Sequence, residues 1–166
     1  MPFQQSPPND PAPATPPVVA RVGHARFDPG LIDTLLRDHD ELRRLFARIG
    51  VAAKSPDLAA GELRALLIDF KSRLTTHTLT ENLRFYDFVF QQVAGDPDLD
   101  RMVHSFHAEM NDIENQVIAF VRQYQAHAFN LQGNAGFMSD YAAMGKLLAH
   151  RLSTEEDSLY RLYRPR

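Results

Sequence analysis

The chain has 166 residues, 44% of them hydrophobic, and a formal net charge of -3. This is enough apolar material for one hydrophobic core, and the slight acidity argues against a nucleic-acid partner, because no broad basic surface is offered to phosphates. The absence of Cys excludes disulfides, thiolate nucleophiles and thiolate-bound metals, which leaves His and carboxylates as the strong metal ligands.

The first 30 residues differ in composition from the rest. Eight of the eleven prolines lie there, and this composition favours an extended, polyproline-like chain over a packed element. We therefore predict a flexible arm of residues 1–30 and a helical domain of residues 31–166. The start lacks the pattern of a secretory signal, and no stretch approaches the ~18 apolar residues of a membrane span. A soluble cytoplasmic protein without a membrane partner is expected.

From residue 31 onward, apolar residues recur at the three- and four-residue spacing of amphipathic helices. Four helices are predicted, at about 30–52, 58–94, 98–127 and 138–163. Their apolar faces carry Leu31, Leu35, Leu42, Phe46 and Ile49; Leu63, Leu66, Phe70, Phe85 and Phe88; Phe106, Met110, Ile113, Val117 and Phe120; and Met144, Leu148, Leu152, Leu159 and Leu162. Long helices with short connections are typical of antiparallel neighbours, so the expected fold is all-α, an up-down-up-down four-helix bundle.

Polar residues on the apolar faces of the first two helices suggest a metal site. His39 lies within the apolar stripe of the first helix, where a half-buried ring needs a partner. His77 and Glu81 stand four residues apart, on the face of the second helix that carries Phe70 and Phe88. A divalent ion held by both would offset the cost of burying the carboxylate. The competing interpretations are a core His bonded to a carbonyl and a chance surface pair.

The third and fourth helices add further candidates. His107 flanks the apolar face of the third helix, whereas His104 points about 150° away from that face and is expected in solvent. Glu155 falls on the apolar stripe of the fourth helix. His150 precedes it by five residues, which is about 140° around a regular helix, so an exposed His150 is a serious alternative. Ligands from four helices that meet inside a bundle are typical of carboxylate-bridged di-metal centres.

At four places the chain resembles the hemerythrin-like (HHE cation-binding) family, over residues 31–163. The matching segments are His39-Asp40-Glu41-Leu42, His77 to Glu81 with Phe85-Tyr86, His107-Ala108-Glu109-Met110, and Glu155-Glu156 with Leu159-Tyr160. In the family, the second-helix His-x-x-x-Glu supplies one terminal and one bridging ligand. The resemblance implies a hemerythrin-like bundle with the metal ligands His39, His77, Glu81, His107, His150 and Glu155.

Two positions depart from the family pattern. Oxygen-carrying members have a further third-helix His where this chain has Val103, and many bacterial members have a His four residues before the fourth-helix Glu, where this chain has Arg151. A π-bulge between His150 and Glu155 would absorb one residue and turn His150 inward. We predict such a widened turn within residues 150–155. The alternative is a regular helix in which Arg151 pairs with Glu155 and His150 lies in solvent.

The expected function is that of a non-haem di-iron protein. Two iron ions would be bridged by Glu81, Glu155 and a solvent oxygen, with an open position for dioxygen, nitric oxide or peroxide. Binding or sensing of such a ligand, or of iron itself, is favoured over reversible oxygen carriage because of Val103. Enzymatic activity beyond weak peroxidase chemistry is not expected. The alternative is a metal-free or metal-weakened bundle that docks on a partner protein.

Overall fold

A computed structural model describes residues 24–55, 60–125 and 135–165, and all regular structure within these ranges is helical. Helix α1 spans Leu31–Ala52. Helix α2, Ala60–Thr80, continues through a π-helical segment, Glu81–Tyr86, into α3, Asp87–Val93. Helix α4 spans Pro97–Gln125, and α5, Ala135–Thr154, continues as a π-helical segment, Glu155–Leu159, and a 3₁₀ turn, Tyr160–Leu162. No helix in this part of the chain is both long and apolar enough to cross a lipid bilayer.

The helices alternate in direction, as the positions of their residues in two apolar clusters show. The first cluster consists of Leu31, Leu35, Phe85, Tyr86, Phe88, Val89, Val93, Val103, Leu159, Tyr160 and Tyr163. The second consists of Leu42, Leu45, Ile49, Ala52, Ala53, Leu63, Leu67, Phe70, Leu74, Ile113, Val117, Phe120, Val121, Tyr124, Phe137, Leu148 and Leu152. Helices α1 and α4 run from the first cluster to the second, whereas α2–α3 and α5 run back. The predicted up-down-up-down four-helix bundle is confirmed.

A layer of buried polar side chains separates the two clusters. It consists of His39 from α1, His77 and Glu81 from the second helix of the bundle, and Arg151 and Glu155 from the fourth. We call these five residues the polar layer. Buried polar and charged groups are costly unless paired. A layer of this kind across an otherwise apolar core therefore indicates a candidate functional site.

The residues just before α1 pack against the bundle. The ring of Phe27 stacks on that of Tyr163, with centroids 5.1 Å apart, and also contacts Phe88. The backbone N–H of Asp28 donates a hydrogen bond to the Tyr163 hydroxyl at 2.9 Å. The rest of the predicted flexible arm, residues 1–23, lies outside the described residues, so its flexibility stays a prediction.

Candidate metal centre

Two imidazole rings face each other at the middle of the polar layer. The Nε2 atoms of His39 and His77 lie 3.3 Å apart, and both rings are fully buried. One carboxylate oxygen of Glu155 joins them, so that three potential ligand atoms lie within 4.8 Å of one another. Two imidazole nitrogens and a carboxylate oxygen at this spacing form a set of ligands suited to a transition-metal ion.

Each ring has its other nitrogen directed at a carboxylate farther out. Nδ1–H of His39 donates a hydrogen bond to Oε1 of Glu156 at 2.7 Å. Nδ1 of His77 faces Oδ2 of Asp38 at 3.7 Å, and the interaction with His77 lowers the pKa of the Asp38 carboxyl. Carboxylates in these positions fix the orientation of metal-binding imidazoles and raise their basicity. The hydrogen bond to Glu156 therefore holds His39 with Nε2 towards the centre of the layer, whereas Nδ1 of His77 lies near Asp38 without a hydrogen bond.

The two carboxylates of the layer differ in their surroundings. Burial alone would raise the pKa of Glu155, but the hydrogen bond with His39 and the positive charge of Arg151 outweigh it, so the pKa lies below its ordinary value. For Glu81, burial and the neighbouring Glu155 raise the pKa well above its ordinary value. Neither oxygen of Glu81 has a well-placed hydrogen-bond donor among the described residues. The groups near it are Glu155, the Tyr160 hydroxyl and, at 3.8 Å, Nη2 of Arg151. A fully buried carboxylate without a hydrogen-bond donor is typical of a metal ligand.

Arg151 extends from α5 into the layer, and only 2% of its side chain is exposed. Its Nη2 contacts Oε1 of Glu155 at a short distance and lies 3.8 Å from Oε2 of Glu81. The same nitrogen donates a hydrogen bond to the hydroxyl of Tyr86 at 3.0 Å, and Nη1 donates one to the carbonyl of Phe106 at 3.3 Å. The guanidinium is thus a fixed cation beside both carboxylates.

Both carboxylates stand at the first residue of a π-helical segment, and each is followed five residues later by a buried Tyr. The N–H of Tyr160 bonds to the carbonyl of Glu155, five residues back. The additional residue in the turn brings Tyr160 back to the face of Glu155, with its hydroxyl 3.1 Å from Nε2 of His39. Tyr86 reaches Arg151 in the same way after Glu81. The sequence placed Tyr86 and Tyr160 in the segments that resemble the family but gave them no role in the site, although Glu-x-x-x-apolar-Tyr occurs in both helices.

His150 does not enter the polar layer, and the prediction that it points inward is wrong. Its side chain is 68% exposed, and its Nε2 lies 3.8 Å from Oε1 of Glu109. The helix is regular up to Thr154, and the wide turn starts at Glu155 instead of before it. The five-residue interval therefore keeps its rotation of about 140°. Arg151, four residues before Glu155, takes the inward place instead.

His107 also lies apart from the facing imidazoles. It is half-buried on α4, where its Nε2 is hydrogen-bonded to Oδ1 of Asn82 at 2.9 Å and its ring packs on Tyr86, with centroids 4.5 Å apart. Burial lowers the pKa of His107, with smaller effects from His104 and Arg151. The structure thus brings three of the six predicted ligands, His39, His77 and Glu155, within 4.8 Å of one another. It buries Glu81 near Glu155 and leaves His107 and His150 outside. The expected exposure of His104 is confirmed.

A small surface cavity of about 150 Å³ lies directly beside His77, between α1 and α2. Its lining consists of Asp38, Glu41, Leu42, Ser72, Arg73, Thr76 and His77. A larger surface groove of about 650 Å³ lies farther along the same two helices, near Val51 and Leu66 and away from the polar layer. The smaller cavity is adjacent to the candidate ligand His77, and its lining combines Asp38 and Glu41 with Arg73, whose Nη1 lies 3.7 Å from Glu41.

Comparison with models of known protein families gives a match. The hemerythrin family model, described as the hemerythrin HHE cation binding domain, matches residues 30–163. No curated protein and no solved structure matches the chain significantly. The matched range covers all four helices of the bundle and every residue of the polar layer.

Proposed function

The chain belongs to the hemerythrin HHE cation-binding domain family, and on that premise we propose that it binds non-haem iron in the polar layer. The ligands would be Nε2 of His39 and of His77, and the carboxylates of Glu81 and Glu155. We further propose that the centre binds or senses a small ligand such as dioxygen, nitric oxide or peroxide.

The observation that carries the proposal is the orphaned carboxylate of Glu81 beside two imidazoles with inward Nε2 atoms. Without a bound cation, burial favours the neutral form of Glu81, and Arg151 lies 3.8 Å away. A divalent ion would satisfy the ionised carboxylate and both rings at once. A bound ion would therefore offset the cost of burying this layer.

The ligand types favour iron and a small ligand. Imidazole together with carboxylate suits iron, and a site with two His and carboxylate ligands leaves coordination positions open. Bound iron would supply a redox-active Lewis acid at those positions. The protein contributes the orientation of His39 through its hydrogen bond to Glu156 and a carboxylate, Asp38, near Nδ1 of His77. It also contributes an apolar cluster on either side that limits access of water. These features suit a diatomic molecule or peroxide better than a bulky substrate.

Loading with Fe²⁺ tests the proposal. Metal-free protein would be loaded anaerobically, desalted, analysed for iron, and then exposed to nitric oxide while its visible spectrum is recorded. We expect retained iron and a nitrosyl absorption in the wild type, and loss of both in His77→Ala and Glu81→Gln. His150→Ala serves as the matched control, since it removes an exposed imidazole, and should behave as the wild type. An absence of retained iron, or equal losses in His150→Ala, would contradict the proposal.

One observation favours the second candidate function, a bundle that docks on a partner protein without metal. The ion pair between Arg151 and Glu155 neutralises one of the two carboxylates from within the chain. If loaded protein retains no iron and Glu81→Ala leaves the melting temperature unchanged, Glu81 neither holds iron nor stabilises the bundle, and docking becomes the better account.

A further inference from the structure

The side chain of Arg151 is a cation within the polar layer. It is the largest of the fully buried side chains among the described residues. Its Nη2 contacts Glu155, lies 3.8 Å from Glu81, and donates to the hydroxyl of Tyr86. A guanidinium stays charged under all ordinary conditions, so its position between two ligand carboxylates fixes one positive charge there permanently.

The charge of the layer then limits how many metal ions it can take. Within the layer, two carboxylates and one guanidinium leave a single negative charge for a bound cation to balance. Of the outer carboxylates, Glu156 is already paired with Arg43 at 2.8 Å and Asp38 is partly exposed to solvent. One divalent ion would leave the layer with one positive charge, whereas two would leave three, in a region enclosed by two apolar clusters. Because uncompensated charge is costly in such a region, the second ion is disfavoured.

The number of available ligand atoms also favours a single ion. His39, His77, Glu81 and Glu155 are enough for one ion with open positions. The remaining nitrogen donors of the sequence prediction are committed elsewhere, since His107 is bonded to Asn82 and His150 faces Glu109 on the surface. At the other departure from the family pattern, Val103 lies buried in the first cluster and offers no donor atom.

We propose that Arg151 takes the place of a second metal ion, so that the centre holds one ion, bound by His39, His77, Glu81 and Glu155. This inference rests on the proposed function, because it presupposes that the layer binds metal. It replaces the two-iron centre expected from the resemblance by a centre of one iron and one guanidinium. The ligand-binding position of the iron would then lie beside a fixed hydrogen-bond donor instead of a second iron.

Metal stoichiometry in the wild type and two Arg151 variants tests this. Each metal-free protein would be loaded with excess Fe²⁺ without oxygen, freed of unbound metal, and analysed for iron and protein. After oxidation, EPR distinguishes an isolated high-spin ferric ion, which gives a signal, from a coupled ferric pair, which is silent. The wild type and Arg151→Lys, which keeps the charge, should bind close to one ion per chain and give the isolated-ion signal.

Arg151→His removes the charge and supplies an imidazole one turn before Glu155, so its iron content should rise about twofold, with loss of the isolated-ion signal. Circular dichroism checks that the variant is folded. Two ions in the wild type would overturn the inference and leave the proposed function intact, whereas no ion in the wild type would refute the proposed function. A folded Arg151→His that stays at one ion would show that the guanidinium does not limit the count, and would also overturn the inference.

Discussion

The imidazoles of His39 and His77 approach each other through their Nε2 atoms, 3.3 Å apart, while their Nδ1 atoms point away towards Glu156 and Asp38. The two rings come from different helices, so this symmetry arises from packing and not from a local motif. It divides the residues around the rings into an inner set that would touch a metal ion and an outer set that holds the inner set in place.

The outer carboxylates are expected to control affinity for the metal. Glu156→Gln and Asp38→Asn should each weaken Fe²⁺ binding about 10–100-fold without abolishing it, because such partners orient the ligating rings. Competition with a chelator of known affinity measures the change. Asp40→Asn is the matched control, since this carboxylate is exposed on the same helix. If Asp40→Asn weakens binding as much as the other two do, a general loss of negative charge is the cause.

The raised pKa of Glu81 predicts the pH dependence of stability in the metal-free protein. The neutral carboxyl is favoured in the folded state, so its contribution to stability is fully present below the ordinary pKa of Glu and is lost as pH rises through the raised value. Metal-free Glu81→Gln cannot ionise there and should lose less stability between about pH 5 and about pH 8 than the wild type.

Denaturant unfolding at several pH values, in the presence of a chelator, measures this difference. The exposed Glu62 provides the control Glu62→Gln, which should follow the wild-type profile. Glu155 works in the opposite direction, because its lowered pKa gives a contribution that is present above the ordinary pKa and is lost as pH falls through the lowered value. Parallel pH profiles for the wild type and Glu81→Gln would show that Glu81 is ionised in the metal-free fold.

The packing of the segment before α1 predicts a stability effect at its start. Phe27→Ala should lower the free energy of unfolding by about 1–2 kcal/mol, because it removes aromatic contacts with Tyr163 and Phe88. Leu83→Ala, at a more exposed apolar residue, should cost less. Urea denaturation of both variants makes the comparison. Equal costs would mean that the contacts of Phe27 add nothing to stability.

Helical periodicity predicted the fold well, because apolar residues recur at helical spacing along every helix of the bundle. Fifteen of the twenty apolar residues assigned to those faces are buried. The five that are only partly buried lie at the margins of the core, where a face meets solvent: Phe46, Leu66, Phe106, Met144 and Leu162. The sequence does not reveal how wide each buried stripe is, because that depends on the neighbouring helices.

The site was predicted less completely, for two physical reasons. The π-helical turns lie one turn later in the fourth helix than expected and were not foreseen in the second, since their position depends on tertiary contacts of Glu81 and Glu155. The partners of the rings are distant in sequence: Glu156 reaches His39 across 117 positions, and Asp38 lies on a different helix from His77. Spacing along one helix contains no information about such pairs.

Anomalous diffraction from crystals of iron-loaded protein, recorded on both sides of the iron absorption edge, tests the central claim most directly. We expect one strong iron peak in the polar layer, within bonding distance of Nε2 of His39 and His77 and of oxygens of Glu81 and Glu155, with the Arg151 guanidinium beside it. An iron peak held by other residues, or a polar layer without an iron peak in crystals shown by fluorescence to contain iron, would contradict the account.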